Sequence, residues 1–223
     1  MLFEKKSILR NKYKGERVFI LGNGPSIKDE NLSFLKEEYS IGINASTLLE
    51  EKWGFSQDFY CVSDARFLSH PEKRKFATDC LSEKTKRFIR ADLKEIDEPR
   101  LRSGTFYVPH LYRDGFSKNL AVGYYYGCTT TMLAIQIAYH LGFQDVYLLG
   151  VDLRYGGENP RFYKEDSVQL EDSFTSVQIM NIAKAGEIFR SEARNLYICS
   201  KGSFLRSYLP YRSVENITAL DLI

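Results

Sequence analysis

Short apolar runs alternate along the chain with segments whose apolar residues recur at helical spacing. Seven runs have strand character: RVFIL from 17, YSIGIN from 39, DFYCVSD from 58, RFIRA from 87, TFYVPH from 105, VYLLGVD from 146 and LYICS from 196. Several are apolar throughout instead of at every second position, the pattern of strands covered on both faces. Between them, ASTLLEEKW (45–53) predicts a helix after Asn44, capped by Ser46. TTTMLAIQIAYHL (129–141) is apolar nearly all round, which predicts a buried helix, and Gly142 supplies its stop. SFTSVQIMNIAKAGEIFRSEA (173–193) predicts the last long helix.

Strands alternating with helices predict a Rossmann-like α/β domain over 1–223, a mostly parallel sheet of about seven strands with helices on both faces. Residues 1–16 read as a basic N-terminal extension. The segment RYGGENPRFYKEDSVQLED (154–172) breaks the pattern: it is polar, carries Gly-Gly and Asn-Pro, and follows the C-terminal end of a strand. Open α/β sheets bind ligands at that edge, so a loop this long reads as a lid.

Composition narrows the classes. With 223 residues, 43% hydrophobic and 27% charged, the chain can bury a sizeable core and is neither disordered nor fibrous. A net charge of +2 gives no argument for nucleic acid as a partner. Four scattered cysteines, Cys61, Cys80, Cys128 and Cys199, form no CxxC pair, and three of them sit in contexts that suit a buried, reduced thiol. The three histidines, His70, His110 and His140, have no metal-ligand spacing, so no metal site is expected, and His140 reads as a core residue. Neither a signal-peptide core nor a membrane-spanning run is present, which points to the cytoplasm. The basic opening (Lys5, Lys6, Arg10, Lys12, Lys14) reads as a solvated helix face, or as a peripheral contact with an anionic inner-membrane face.

The candidate chemistry starts at Gly22-Asn23-Gly24-Pro25-Ser26, directly behind the first strand. A dinucleotide fingerprint is disfavoured on two counts: Ile27 stands at the third glycine position, and the second strand ends in Asn44 instead of an acid. No Gly-Lys-Ser/Thr follows, so a Walker A loop fails too. Glycines here allow close approach of a ligand, and a helix opening behind them favours an anion. Asn23, Asn44, Ser63 and Asp64 all close neighbouring strands at one edge, where amides and hydroxyls suit a base, ribose or sugar. The competing reading is a ligand-free structural turn with ordinary cap residues.

Four blocks then carry a family resemblance: LGNGPSIKDENLSFL, IGINASTLLEEKWGFSQDFYCVSD, GCTTTMLAIQIAYHLGFQDVYLLGVDLRY and LYICSKGSFLRSYLP. They span about 17 to 212 and resemble two related groups. One is the bacterial sialyltransferases of glycosyltransferase family 42, which use CMP-sialic acid. The other is the family named for 6-hydroxymethylpterin diphosphokinase, with members that look like glycan-cluster proteins. The sialyltransferase resemblance implies that Asn23, Asn44 and Ser63 hold the donor with Gly22, Gly24, Pro25 and Ser26. Thr129 and Thr130 match the polar pair opening the buried helix, while Tyr155 and Tyr163 lie near the tyrosines that contact the leaving phosphate.

The stretch QLEDSFTSVQ (169–178) has no histidine where that family places its general base. Glu171, Asp172 or His110 then stands as the alternative base. The pterin resemblance implies Asp64, and with it Asp152, beside Mg²⁺ on a triphosphate; Asp152 alternatively orders the lid by accepting backbone N–H bonds. Three readings follow. The first is a metal-independent glycosyltransferase of surface-glycan assembly with a CMP-activated or similar donor and a glycan acceptor, needing no cofactor. The second is a Mg²⁺-dependent diphosphokinase, and the third a non-catalytic nucleotide-binding partner. The high aromatic content (14%) and the resemblance also suggest a homo-oligomer.

Overall fold

The computed structural model describes residues 9–112, 114–156, 160–164 and 173–220. All seven expected strands form, as β1 (Arg17–Leu21), β2 (Tyr39–Ile43), β3 (Phe59–Val62), β4 (Lys86–Arg90), β5 (Thr105–Val108), β8 (Asp145–Leu149) and β9 (Asn195–Ile198). They make one sheet in the order β5-β4-β3-β2-β1-β8-β9, and every pairing in it is parallel. A second, two-stranded parallel pair, β6 (His110–Leu111) with β7 (Tyr124–Tyr125), was not visible in the apolar pattern because each strand is two residues long.

Alternate residues of each strand enter different cores. Val18 and Ile20 face the two long helices, Thr130–Leu141 and Thr175–Ser191, while Phe19 and Leu21 face Ile27, Leu35, Leu49 and Ile217 on the other side. With both faces covered, the strands need no polar side, which is why several of them read as continuous apolar runs. Phe19, Tyr147 and Tyr197 are in register across β1, β8 and β9, and their rings stack at 5.0 Å spacing. Chain order reverses at β1: the next four strands are laid down on one side, and β8 and β9 on the other.

The Thr130–Leu141 helix is buried along its whole length except at Tyr139. Gly142 ends it in the left-handed conformation (φ +99°). Its one buried amide, Gln136, is fully used: Oε1 accepts from Ser117 and Tyr125 N–H, and Nε2 donates to the Tyr125 and Met132 carbonyls. Those bonds tie β7, and the loop from Tyr126 to Thr129 behind it, to the helix.

Three expectations change. The segment after β2 is a 3-10 turn, Asn44–Thr47, leading into a short helix, Leu48–Trp53. Ser46 is not its cap; it is buried and bonds Gln57 Oε1 instead. The last long helix is trimmed to Thr175–Ser191. Residues 9–16 of the N-terminal extension pack on the domain: Leu9 is buried, Asn11 and Tyr13 N–H donate to the His140 and Leu141 carbonyls, and Tyr13 stacks on Phe143. His140 is buried, as expected of a core residue.

Candidate functional site

The crevice between the C-terminal ends of β1 and β8 is the switch point of the sheet, where open parallel sheets hold their ligands. A cleft of about 220 Å³ opens there, walled by the loops after β1, β2, β3 and β8 and by the start of the Thr130–Leu141 helix.

The glycine turn forms the floor by clasping the loop after β8. Gly22 N–H donates to the Leu149 carbonyl and Gly24 N–H to the Gly150 carbonyl, both at 2.7 Å. A Cβ on Gly22 would stand 2.3 Å from the Gly150 oxygen, and one on Gly24 2.5 Å from Asp152 Oδ2. The close approach expected of these glycines is therefore made to the chain itself. Pro25–Asp29 is a five-residue 3-10 turn, not an α-helix. Pro25 has no N–H to offer, and the Ser26 N–H donates to Asp152 Oδ2 at 2.9 Å while the Ser26 hydroxyl donates to Asp152 Oδ1 at 2.5 Å. The anion at this terminus is thus Asp152. It accepts the Ser26 N–H and hydroxyl and so orders the turn after β1.

Asn23 is likewise a clamp. Its Nδ2 donates to the Ile43 carbonyl (2.8 Å) and its Oδ1 accepts from Ala45 N–H (3.0 Å), fastening the glycine turn to the end of β2. Between those two bonds lies Asn44, held at φ +52°, a left-handed conformation that asparagine tolerates better than most residues. The Tyr60 hydroxyl donates to the Asn44 carbonyl at 2.5 Å. Asn44 Oδ1 is buried in the cleft wall with no hydrogen-bond partner among the described residues. An orphaned carbonyl of this kind costs about 1–3 kcal/mol, which a ligand N–H or O–H would recover.

Ser63 and Thr130 share a buried hydroxyl–hydroxyl bond of 2.8 Å that joins β3 to the helix start. The Thr129 hydroxyl caps that helix by accepting Thr131 N–H at 3.3 Å. Asp64 is held by Arg66, which donates from its backbone N–H and its guanidinium. Burial pushes the Asp64 carboxyl up, but these bonds and the Arg66 charge outweigh it and leave the group below the usual carboxylate range. Tyr155 donates to Gln178 Oε1 at 2.6 Å, and Gln178 Nε2 donates to the Cys128 carbonyl at 3.1 Å. Tyr163 lies apart from Tyr155, against Phe162 and Phe76, in a smaller recess that also contains Lys73. Phe162 N–H donates to the Asn23 carbonyl, so this part of the 154–172 segment packs on the glycine turn.

Fourteen of the sequence-predicted site residues are thus described, and ten of them line one cleft; His110 does not. It sits behind Tyr126, its Nδ1 3.8 Å from Asp92 Oδ1, where burial first, and Arg90 after it, hold its pKa below the usual histidine value against the pull of Asp92. Glu171 and Asp172 fall outside the described residues. Arg66, Arg154, Arg161, Tyr126, Cys128 and Gln178 also line the cleft and carried no sequence signal of their own. Cys128 is half-buried there at φ +55°, and Cys80 is exposed, so only Cys61 and Cys199 are the buried thiols expected. No cluster of three or more metal-ligating side chains occurs among the described residues.

Fold and switch-point cleft together define a Rossmann-like α/β protein whose ligand edge is polar and arginine-rich. The chain belongs to the 6-hydroxymethylpterin diphosphokinase MptE-like family, whose model matches residues 2–158. No curated protein matches it. The solved structures that share its fold include two glycosyltransferases. One is the MAf glycosyltransferase from Magnetospirillum magneticum AMB-1, with TM-score 0.55 and 19% identity over 99% of this chain. This chain spans only 40% of that protein's length. The other is the sialyltransferase CstII from Campylobacter jejuni in complex with cytidine-5'-monophosphate, a substrate analogue, with TM-score 0.56 and 13% identity over 89% of this chain and 85% of that one.

Proposed function

We infer that the cleft binds the nucleotide-sugar donor of a glycosyltransferase that builds a bacterial surface glycan, lipopolysaccharide or capsule, by passing the sugar to a glycan hydroxyl. The observation that carries this reading is the orphaned Asn44 Oδ1 at the switch point: a buried acceptor that a base amino group or a ribose or sugar hydroxyl would satisfy. The sialyltransferase with this fold was captured with CMP, which supports a CMP-activated donor carrying a sialic acid-like sugar.

In this reading Arg66, Arg154 and Arg161 meet the phosphate or sugar carboxylate with charge-assisted bonds. Tyr155, and Tyr163 from the recess beside it, donate to the departing nucleotide phosphate as the sugar gains oxocarbenium character. Asn23, Ser63, Thr130 and Asp152 act one step back, fixing the loops that carry the contacts. His110 stands off the cleft wall, which leaves Glu171 and Asp172 as the carboxylates to test as general base.

The family match favours a second reading, Mg²⁺-dependent diphosphate transfer. In that case Asp64 and Asp152 would have to exchange Arg66 and Ser26 for the metal. A non-catalytic partner would bind nucleotide and turn nothing over. CMP release from a CMP-sugar, followed with and without chelator, separates the three. The account predicts metal-independent release that falls by at least about tenfold in Asn44→Ala and in Tyr163→Phe. Release abolished by chelator, or unchanged in both variants, would overturn it.

A further inference from the structure

Seven large apolar side chains are exposed among the described residues, and four of them gather in two adjoining segments: Phe174 and Met180 with the Thr175–Ser191 helix, Phe204 and Tyr208 with the 3-10 turn Phe204–Ser207. Their exposures are 55%, 52%, 43% and 52%. The segments are in contact: Tyr208 closes one side of an open apolar groove along Ile179, Met180 and Ala183, and a Cβ on Gly186 would stand 2.4 Å from Leu209. Buried Leu205 and Leu209 fasten the turn from beneath, so the outward aromatics are held on a firm base.

Around Phe204 and Tyr208 the charge is one-sided. From Ala193 to Val214 the chain has no Asp or Glu, and Lys201, Arg206 and Arg212 are all exposed there. Arg206 lies over the Tyr211 ring at 3.9 Å and Arg154 over the Phe204 ring at 4.4 Å. The acid in the groove, Glu187, is paired with Lys184 at 2.8 Å. Exposed aromatics rimmed by cations match the interfacial zone of a bilayer, where rings enter the headgroup layer and cations meet lipid phosphates. A second copy of this chain would bring the same positive charges against themselves in a two-fold contact.

We propose that this face, Met180 with the Lys201–Arg212 loop, docks the protein on an anionic phospholipid surface. The docking itself does not depend on the reaction proposed above. Its consequence does: Arg154, which lines the cleft, also donates to the Gly202 carbonyl and covers Phe204, so the cleft mouth adjoins the docking face and would meet a lipid-linked acceptor.

The test is co-sedimentation of the full chain with vesicles of phosphatidylcholine alone and of phosphatidylcholine mixed with phosphatidylglycerol. The proposal expects binding to the anionic vesicles, weakened by salt, and on the order of tenfold loss of partitioning in Lys201→Gln/Arg206→Gln. Phe204→Ser/Tyr208→Ser is expected to lose binding as well, with an unchanged unfolding midpoint in the soluble fraction. Three results would overturn it: no binding by the folded parent chain, loss that follows Lys12→Gln/Lys14→Gln instead, or a dimer that the Phe204/Tyr208 variant dissociates while vesicles bind neither protein. Because the readout is lipid binding, its failure is distinguishable from failure of CMP release.

Discussion

Asp152 and Ser26 stand 126 positions apart and are joined twice, the carboxylate accepting the serine N–H at 2.9 Å and its hydroxyl at 2.5 Å. Ser26 Oγ continues to Ser200 Oγ at 2.9 Å, so one serine gathers the loops after β1, β8 and β9. The pair is the clasp that closes the ligand edge. Asp152→Ala would strand both Ser26 donors beside a buried site and should cost about 2–3 kcal/mol in urea unfolding. Asp152→Asn keeps one acceptor and should cost about half of that.

The crossing of the glycine turn over the loop after β8 makes Gly22 an obligate glycine on steric grounds. Gly22→Ala sets a Cβ 2.3 Å from a backbone oxygen that cannot swing away, and should destabilise by at least about 2 kcal/mol. Gly156→Ala, where the new methyl meets nothing within 4 Å among the described residues, should fall within about 0.5 kcal/mol of the parent. Equal losses at both positions, compared by thermal unfolding, would contradict this account of the turn.

Glu50 gives the chain a pH signature. Burial pushes its carboxyl up to about 7, against the opposing bond from Gln57 N–H. The folded state then holds a proton that the unfolded state releases near the ordinary glutamate value, so stability falls as pH rises through this interval and levels off above about 7. Glu50→Gln removes that ionisation and retains an acceptor for Gln57. It should match the parent near pH 4 and exceed it by about 1 kcal/mol at pH 8, the partial exposure of the group reducing the full effect. Parallel stability profiles for the two proteins would refute the assignment.

In the proposed function, arginine supplies the charge that meets an anionic ligand in this cleft. Arg161 faces both the cleft and the recess holding Tyr163, and its guanidinium lies over the Tyr155 ring at 5.2 Å. Arg161→Ala should weaken nucleotide binding by about 10- to 100-fold, the worth of one charge-assisted bond, and Arg161→Lys should recover only part of it. Unchanged affinity by calorimetry would remove Arg161 from the site.

How far the chain could be read from its sequence differs between these features. All seven sheet strands were legible as short runs rich in apolar residues, several of them continuously apolar because helices cover both faces, and the Gly142 stop was legible because its φ demands glycine. Asn23, Asn44, Ser63 and Asp64 were legible as polar residues closing neighbouring strands at one edge, while Thr129, Thr130 and Asp152 entered through the family resemblances. Their division of labour was not. That Asn23 and Asp152 are clamps while Asn44 keeps an unsatisfied oxygen depends on distances across the sheet, which no local pattern encodes. The arginines escaped for the same reason: Arg66 follows β3 while Arg154 and Arg161 follow β8, and the two stretches converge only in three dimensions.

The central claim, that the switch-point cleft holds the nucleotide of a sugar donor, is tested most directly by thermal unfolding with CMP, CDP, UDP, GDP, ATP and NAD, each with and without Mg²⁺. Binding to the folded state raises the midpoint by mass action, by an amount that grows with ligand concentration over Kd. The account predicts stabilisation by CMP without metal, and its loss in Asn44→Ala. Stabilisation by ATP with Mg²⁺ alone, or no response to any nucleotide, would contradict it.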